Sequence, residues 1–107
     1  MHDNKIDKYK KRINQLKEEL QKIGDMRPGS LTRQTYKRVD YTRDYWQISY
    51  TQNQKSKTEY VRDSLVKTLR QEISEYQKFK KLNAEWVELA IKISKEQIKL
   101  KKSAKTA

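Results

Sequence analysis

Apolar residues in the first part of the chain recur at alternating steps of three and four: Ile6, Tyr9, Ile13, Leu16, Leu20 and Ile23. That spacing is one stripe of a helix facing a partner helix, and it predicts an amphipathic helix over residues 4–23. Asp3 or Asn4 is placed to cap its start. Gly24 follows the last stripe residue and suits the left-handed position that ends many helices.

Residues 24–30 break the pattern. The only proline, Pro28, and both glycines, Gly24 and Gly29, fall here, so the segment reads as a turn. Beyond it, over residues 31–62, helical periodicity gives way to alternation. In "YWQISYT" (Tyr45–Thr51), Trp46, Ile48 and Tyr50 take one face, and Tyr45, Gln47, Ser49 and Thr51 the other. "TEYVR" (Thr58–Arg62) resumes β character after the polar "QNQKSK". The two form a predicted hairpin with a loop of about four to six residues rather than a tight two-residue turn. A third strand over Leu31–Val39 or a covering helix is expected, since a lone hairpin is marginal.

From residue 63 the helical period returns and holds to residue 102 without Gly or Pro, through Leu69, Ile73, Tyr76, Phe79, Trp86, Leu89 and Ile93. Asp63 or Ser64 is the expected N-cap, and residues 103–107 read as a frayed basic tail. A helix of that length spans roughly 60 Å, about twice the first. The first helix then covers only half of it. A stripe through Trp86, Leu89 and Ile93 is left for a second chain, most simply a two-fold homodimer. The expected fold is a single α+β domain: an N-terminal helix, a small antiparallel sheet of two or three strands and a long C-terminal helix, with the helices paired as an antiparallel coiled coil.

Composition sharpens this. Apolar residues are 34% of the chain and charged residues 37%, which suits narrow helical seams better than a large core. The net charge of +12 is spread along the chain, with +3 on residues 1–24, +4 on 25–62 and +5 on 63–107. A chain positive throughout attracts polyanions, nucleic acid first among them. With no cysteine, disulfides and thiolate metal sites are excluded, and a cytoplasmic setting is expected. The N-terminus lacks the apolar stretch of a secretory signal, and no run is long enough for a membrane span.

The strongest chemical signal is basic residues interleaved with aromatics in the central segment. Arg33, Tyr36, Lys37, Arg38, Tyr41, Arg43, Tyr45 and Trp46 lie close together, with Lys55 and Lys57 at the hairpin turn. A β-ribbon tipped with lysines can enter a nucleic-acid groove, and aromatics can stack on unpaired bases. The competing reading is that the tyrosines pack on the helices while the lysines keep edge strands apart. Arg27 beside the Pro28-Gly29-Ser30 turn is a further phosphate candidate, weighed against a plain connector. No cofactor, metal or catalytic set is expected. His2 is the single histidine, and Ser30, though near Arg27 and Arg33, has no general base.

Taken together, "MRPGSLTRQ", "YWQISYT", "KSKTEYVR" and "YQKFKKLNAEWVELAIKIS" resemble a family of small prokaryotic proteins associated with mobile elements and transposases. Its pattern is an R-x-G-S-L turn, a Y-x-x-x-Y-T-like strand, a K-T-x-x-Y-V return strand and a helix with a W-x-E-L-like end, covering about residues 10–95. Some relatives place cysteines between the first strand and the hairpin; this chain has none, so no zinc role carries over. The resemblance implies a setting in DNA mobility or its control.

The expected function is non-enzymatic nucleic-acid binding, with duplex DNA favoured and RNA possible, in the service of a mobile element or phage. The alternative is an accessory or inhibitor subunit that docks through its long helix on a nucleic-acid enzyme such as a recombinase or nuclease.

Overall fold

A computed structural model describes residues 2–106, and the side chains of residues 4–103. The side chain of His2 lies outside the described residues. In chain order the elements are helix α1 (His2–Gln21), strands β1 (Ser30–Lys37), β2 (Thr42–Gln52) and β3 (Lys55–Val61), a 3-10 turn at Asp63–Leu65, and helix α2 (Val66–Thr106). The chain is α+β, with a three-stranded antiparallel sheet in the order β1-β2-β3.

The described residues fall into two compact units, one of α1 up to Ile23 with the chain from Phe79 on, and one of Gly24–Lys78. Helix α2, 41 residues long, is shared between them because nothing in its sequence interrupts it. It runs through residue 106, past the expected end at 102, since Lys and Ala in its last turns are good helix formers.

In the first unit, Ile6, Ile13 and Leu16 are buried. Burying a side chain such as Leu16 contributes about 2 kcal/mol. Tyr9 meets Lys92 and Arg12 meets Glu85, so α1 and the later part of α2 run antiparallel. Helix α1 begins at His2, ahead of the expected caps Asp3 and Asn4. Its end is also unlike the expected one. Lys22 and Ile23 donate their N–H groups to the carbonyls of Glu19 and Leu20, and this 3-10 tightening closes the helix. Gly24 is not in the left-handed region; the glycine with positive φ is Gly29, at +147°.

In the second unit the core is the β2–β3 centre, where Ile48 is fully buried and Val61 nearly so. Arg70 of α2 stacks on Trp46, and the N–H of Arg27 donates to the carbonyl of Glu72 at 3.1 Å, so the start of α2 lies on the Ile48 face of the sheet. The expected caps are displaced here too. Arg62 precedes the 3-10 turn, Leu65 donates to its carbonyl at 2.9 Å, and Asp63 sits in the first turn, where its charge complements the helix dipole.

The β2–β3 connection corrects the expected loop of four to six residues. Gln52 pairs with Lys55, which leaves only Asn53 and Gln54 in the turn, both left-handed with φ of 52° and 65°. Two consecutive positive φ values match the twist of a tight hairpin, which is why the loop is short despite having no glycine. Gln54 has no local hydrogen-bonding reason to be left-handed, so Gln54→Gly is expected to stabilise the second unit by about 1 kcal/mol. A denaturation midpoint unchanged or lowered by the substitution would contradict this.

Candidate functional site

Alternation along the paired strands separates the sheet into two faces of different chemistry. On the face of Ile48 lie Arg33, Thr35, Asp44, Trp46, Lys57, Glu59 and Val61. On the open face lie Ser30, Thr32, Gln34 and Tyr36 of β1, Arg43, Tyr45, Gln47, Ser49 and Thr51 of β2, and Ser56, Thr58 and Tyr60 of β3. Contacts agree with this phase: Ser49 and Thr58 are hydroxyl to hydroxyl at 3.3 Å, Gln34 donates to Thr32 at 3.1 Å, and the Tyr45 and Tyr60 rings lie 6.4 Å apart.

Both carboxylates carried by the strands, Asp44 and Glu59, fall on the Ile48 face, where each holds an arginine. Arg33 donates to Asp44 at 3.2 Å and stacks on Trp46. Arg27 donates to Glu59 at 2.7 Å and stacks on Tyr50, whose hydroxyl donates to the other Glu59 oxygen at 2.8 Å. Lys57 donates to Gln52 at 3.2 Å.

The sequence-based site residues therefore do not form one surface. Arg27 and Arg33 are held in the ion pairs just described, which pin the turn and β1. Lys37, Lys55 and Lys57 follow the Ile48 phase. Tyr36 and Arg43, directly paired across β1 and β2, are on the open face. The turn that joins these strands is closed by the Arg38 N–H donating to the Tyr41 carbonyl at 2.8 Å. Arg38 stacks on Tyr36 and donates to its hydroxyl. Tyr36, Tyr41, Arg43, Tyr45 and Tyr60 surround a shallow depression of about 460 Å³.

Tyr45, part of the basic and aromatic segment, was not among the residues expected to bind, and Tyr60 was missed altogether. Tyr45 was legible, because it shares a phase with Arg43. Tyr60 was not, because its position beside Gln47 depends on the two-residue turn, and a longer loop shifts the register.

On the later part of α2, Trp86, Leu89 and Ile93 are half-buried, with Lys17 over the Trp86 ring. The more exposed apolar side chains there are Val87, Ile91 and Ile98. With Ala84 and Ser94 they make a second stripe at steps of three and four, one position over from the expected interface. Arg12, Lys17 and Tyr9 of α1 meet Glu85, Trp86 and Lys92, so α1 lies on the part of α2 that carries the expected stripe.

Among the described residues no cluster of His, Asp or Glu is placed to hold a metal ion, and no helix is long and apolar enough to cross a membrane.

The ion pairs make stability depend on pH. Hydrogen bonding from Arg27, and then from Tyr50, holds the Glu59 carboxyl below its ordinary value of 4.5, and Arg12 does the same for Glu85. A depressed carboxyl favours folding above its unfolded value, and the contribution is lost as pH falls through the folded value. Melting temperature is expected to fall on acidification below about pH 4.5, and less so in Glu59→Gln/Glu85→Gln. The effect is small, since all four side chains are partly exposed. Parallel pH profiles for the two proteins would contradict it.

A family model described as Domain of unknown function (DUF6788) matches residues 6–71, more than half of the chain. No curated protein and no solved structure matches.

Proposed function

We propose that this chain, which belongs to the DUF6788 family, is a non-enzymatic nucleic-acid-binding protein that uses the open face of its sheet. The observation that carries the reading is the sorting of charge. In a chain of net charge +12, the open face holds arginine, tyrosine, amide and hydroxyl groups and no carboxylate, while the strand carboxylates are on the opposite face. A polyanion approaching the open face meets favourable potential and no strand carboxylate. Arg38 and Arg43 supply phosphate contacts, and the amides and hydroxyls supply donors and acceptors for base edges. We take this binding to serve the cytoplasmic handling of a mobile element or phage, the setting that the resemblance implies.

The test is binding of the purified protein alone to labelled random oligonucleotides at moderate salt. Saturable binding without any other protein is expected. Binding only in the presence of a second protein would favour another reading, an accessory subunit docking through α2 on a nucleic-acid enzyme. The exposed Val87–Ile91–Ile98 stripe supports that reading, and it is equally a surface that a second copy of this chain would cover.

A further inference from the structure

We propose that the open face takes a single strand, stacking unpaired bases on Tyr36, Tyr41 and Tyr60, rather than a duplex. The inference rests on the nucleic-acid reading above and narrows it to one class of ligand.

Stacking on unpaired bases needs ring faces that solvent can reach, and these rings have them. Tyr60 is 61% exposed, Tyr41 56% and Tyr36, one face of which Arg38 covers, 39%. A tyrosine that served only to pack the sheet would bury its ring, as Trp46 and Tyr50 partly do on the other face. Here four tyrosines gather around one depression instead, with Arg43 on its edge. The rings come from all three strands or from the turn joining two of them, so a strand crossing the sheet meets them in succession. Tyr45 and Tyr60 are tilted by 38° at 6.4 Å, too oblique to stack fully on each other. Base–aromatic stacking is tolerant of sequence, because every base has a π-face.

A duplex hides those base faces and is read instead by an element that protrudes into a groove. The protruding candidate is the Asn53–Gln54 turn flanked by Lys55. Lys55 and Lys57 follow the Ile48 phase, not that of the tyrosines. A duplex seated on this turn would leave the tyrosine depression unused.

Fluorescence anisotropy with a labelled oligothymidine, and with a duplex of equal length, tests the proposal on the full chain. Wild-type protein is expected to bind the single strand more tightly than the duplex. Tyr36→Leu and Tyr60→Leu keep bulk but remove the ring, and each is expected to weaken single-strand binding roughly tenfold. Tyr36→Phe and Tyr60→Phe keep the ring and are expected to retain binding, which separates stacking from loss of the hydroxyl contact to Arg38. Circular dichroism confirms that each variant is folded, and a phenylalanine variant carries the test wherever leucine unfolds the sheet. Tighter binding to the duplex, single-strand binding unaffected by leucine, or binding lost in a folded phenylalanine variant would overturn the proposal while leaving the nucleic-acid reading intact. Binding to neither oligonucleotide would overturn both.

Discussion

Gly29→Ala is expected to destabilise the second unit by about 3 kcal/mol and to lower its melting temperature by more than 10 °C. Two effects add. Gly29 has φ of +147°, a conformation that L residues rarely adopt. A Cβ built there would stand 2.8 Å from Ile48 Cγ1 and 2.9 Å from its Cδ1, with the Ser49 carbonyl oxygen at 3.3 Å. Ile48 is fully buried and cannot swing away without opening the core. Gly24→Ala is the matched control, since its added Cβ meets nothing within 4 Å and its φ is not positive. It is expected to be neutral or slightly stabilising. Equal melting temperatures for the two alanine variants would contradict the assignment of Gly29 as the residue that seats β1 against Ile48.

The second large effect concerns salt. A single strand held at two phosphates by Arg38 and Arg43 should lose affinity with a log–log slope of about −1.4, a drop of roughly sevenfold between 50 and 200 mM salt, because each contact releases condensed counterions. Stacking has no such dependence, so the tyrosine variants should lower affinity at every salt concentration without changing the slope. Arg43→Gln should do the reverse and make the slope shallower by somewhat less than one. A slope near zero in the wild-type protein would mean that phosphates are not contacted.

The same contrast explains what the sequence could reveal. The helices and the central strand were legible because their patterns are strong. Ile6, Ile13 and Leu16 keep one stripe and are buried together, and the alternation of Trp46, Ile48 and Tyr50 marks the covered face. The joints were not legible. Gly24 looked like a helix cap, yet the chain reserves positive φ for Gly29, because the close approach to Ile48 is a tertiary fact that no local pattern carries. The Asn53–Gln54 turn lacks the glycine that announces a tight hairpin, so the expected loop was too long and the register of β3 was lost with it.

That lost register is why the candidate site was only half visible. Charge and aromatic content drew attention to the right segment, but both are properties of a stretch of chain, whereas a binding face is a property of alternate residues. Arg33 and Arg43 are alike in sequence context. One is paired with Asp44 beneath the sheet's other face, and the other stands among tyrosines. On α2, two apolar stripes run one position apart at the same period, so Trp86 and Val87 could not be ranked by spacing alone.

The central claim is that nucleic acid lies on the tyrosine face of the sheet. Ultraviolet crosslinking of the protein to an oligothymidine, followed by mass mapping of the adducted peptides, tests it most directly. The account predicts adducts on Tyr36, Tyr41, Tyr45 or Tyr60, suppressed by excess unlabelled single strand. Adducts confined to the lysine-rich segments of α1 and α2, with the strand peptides unmodified, would contradict it.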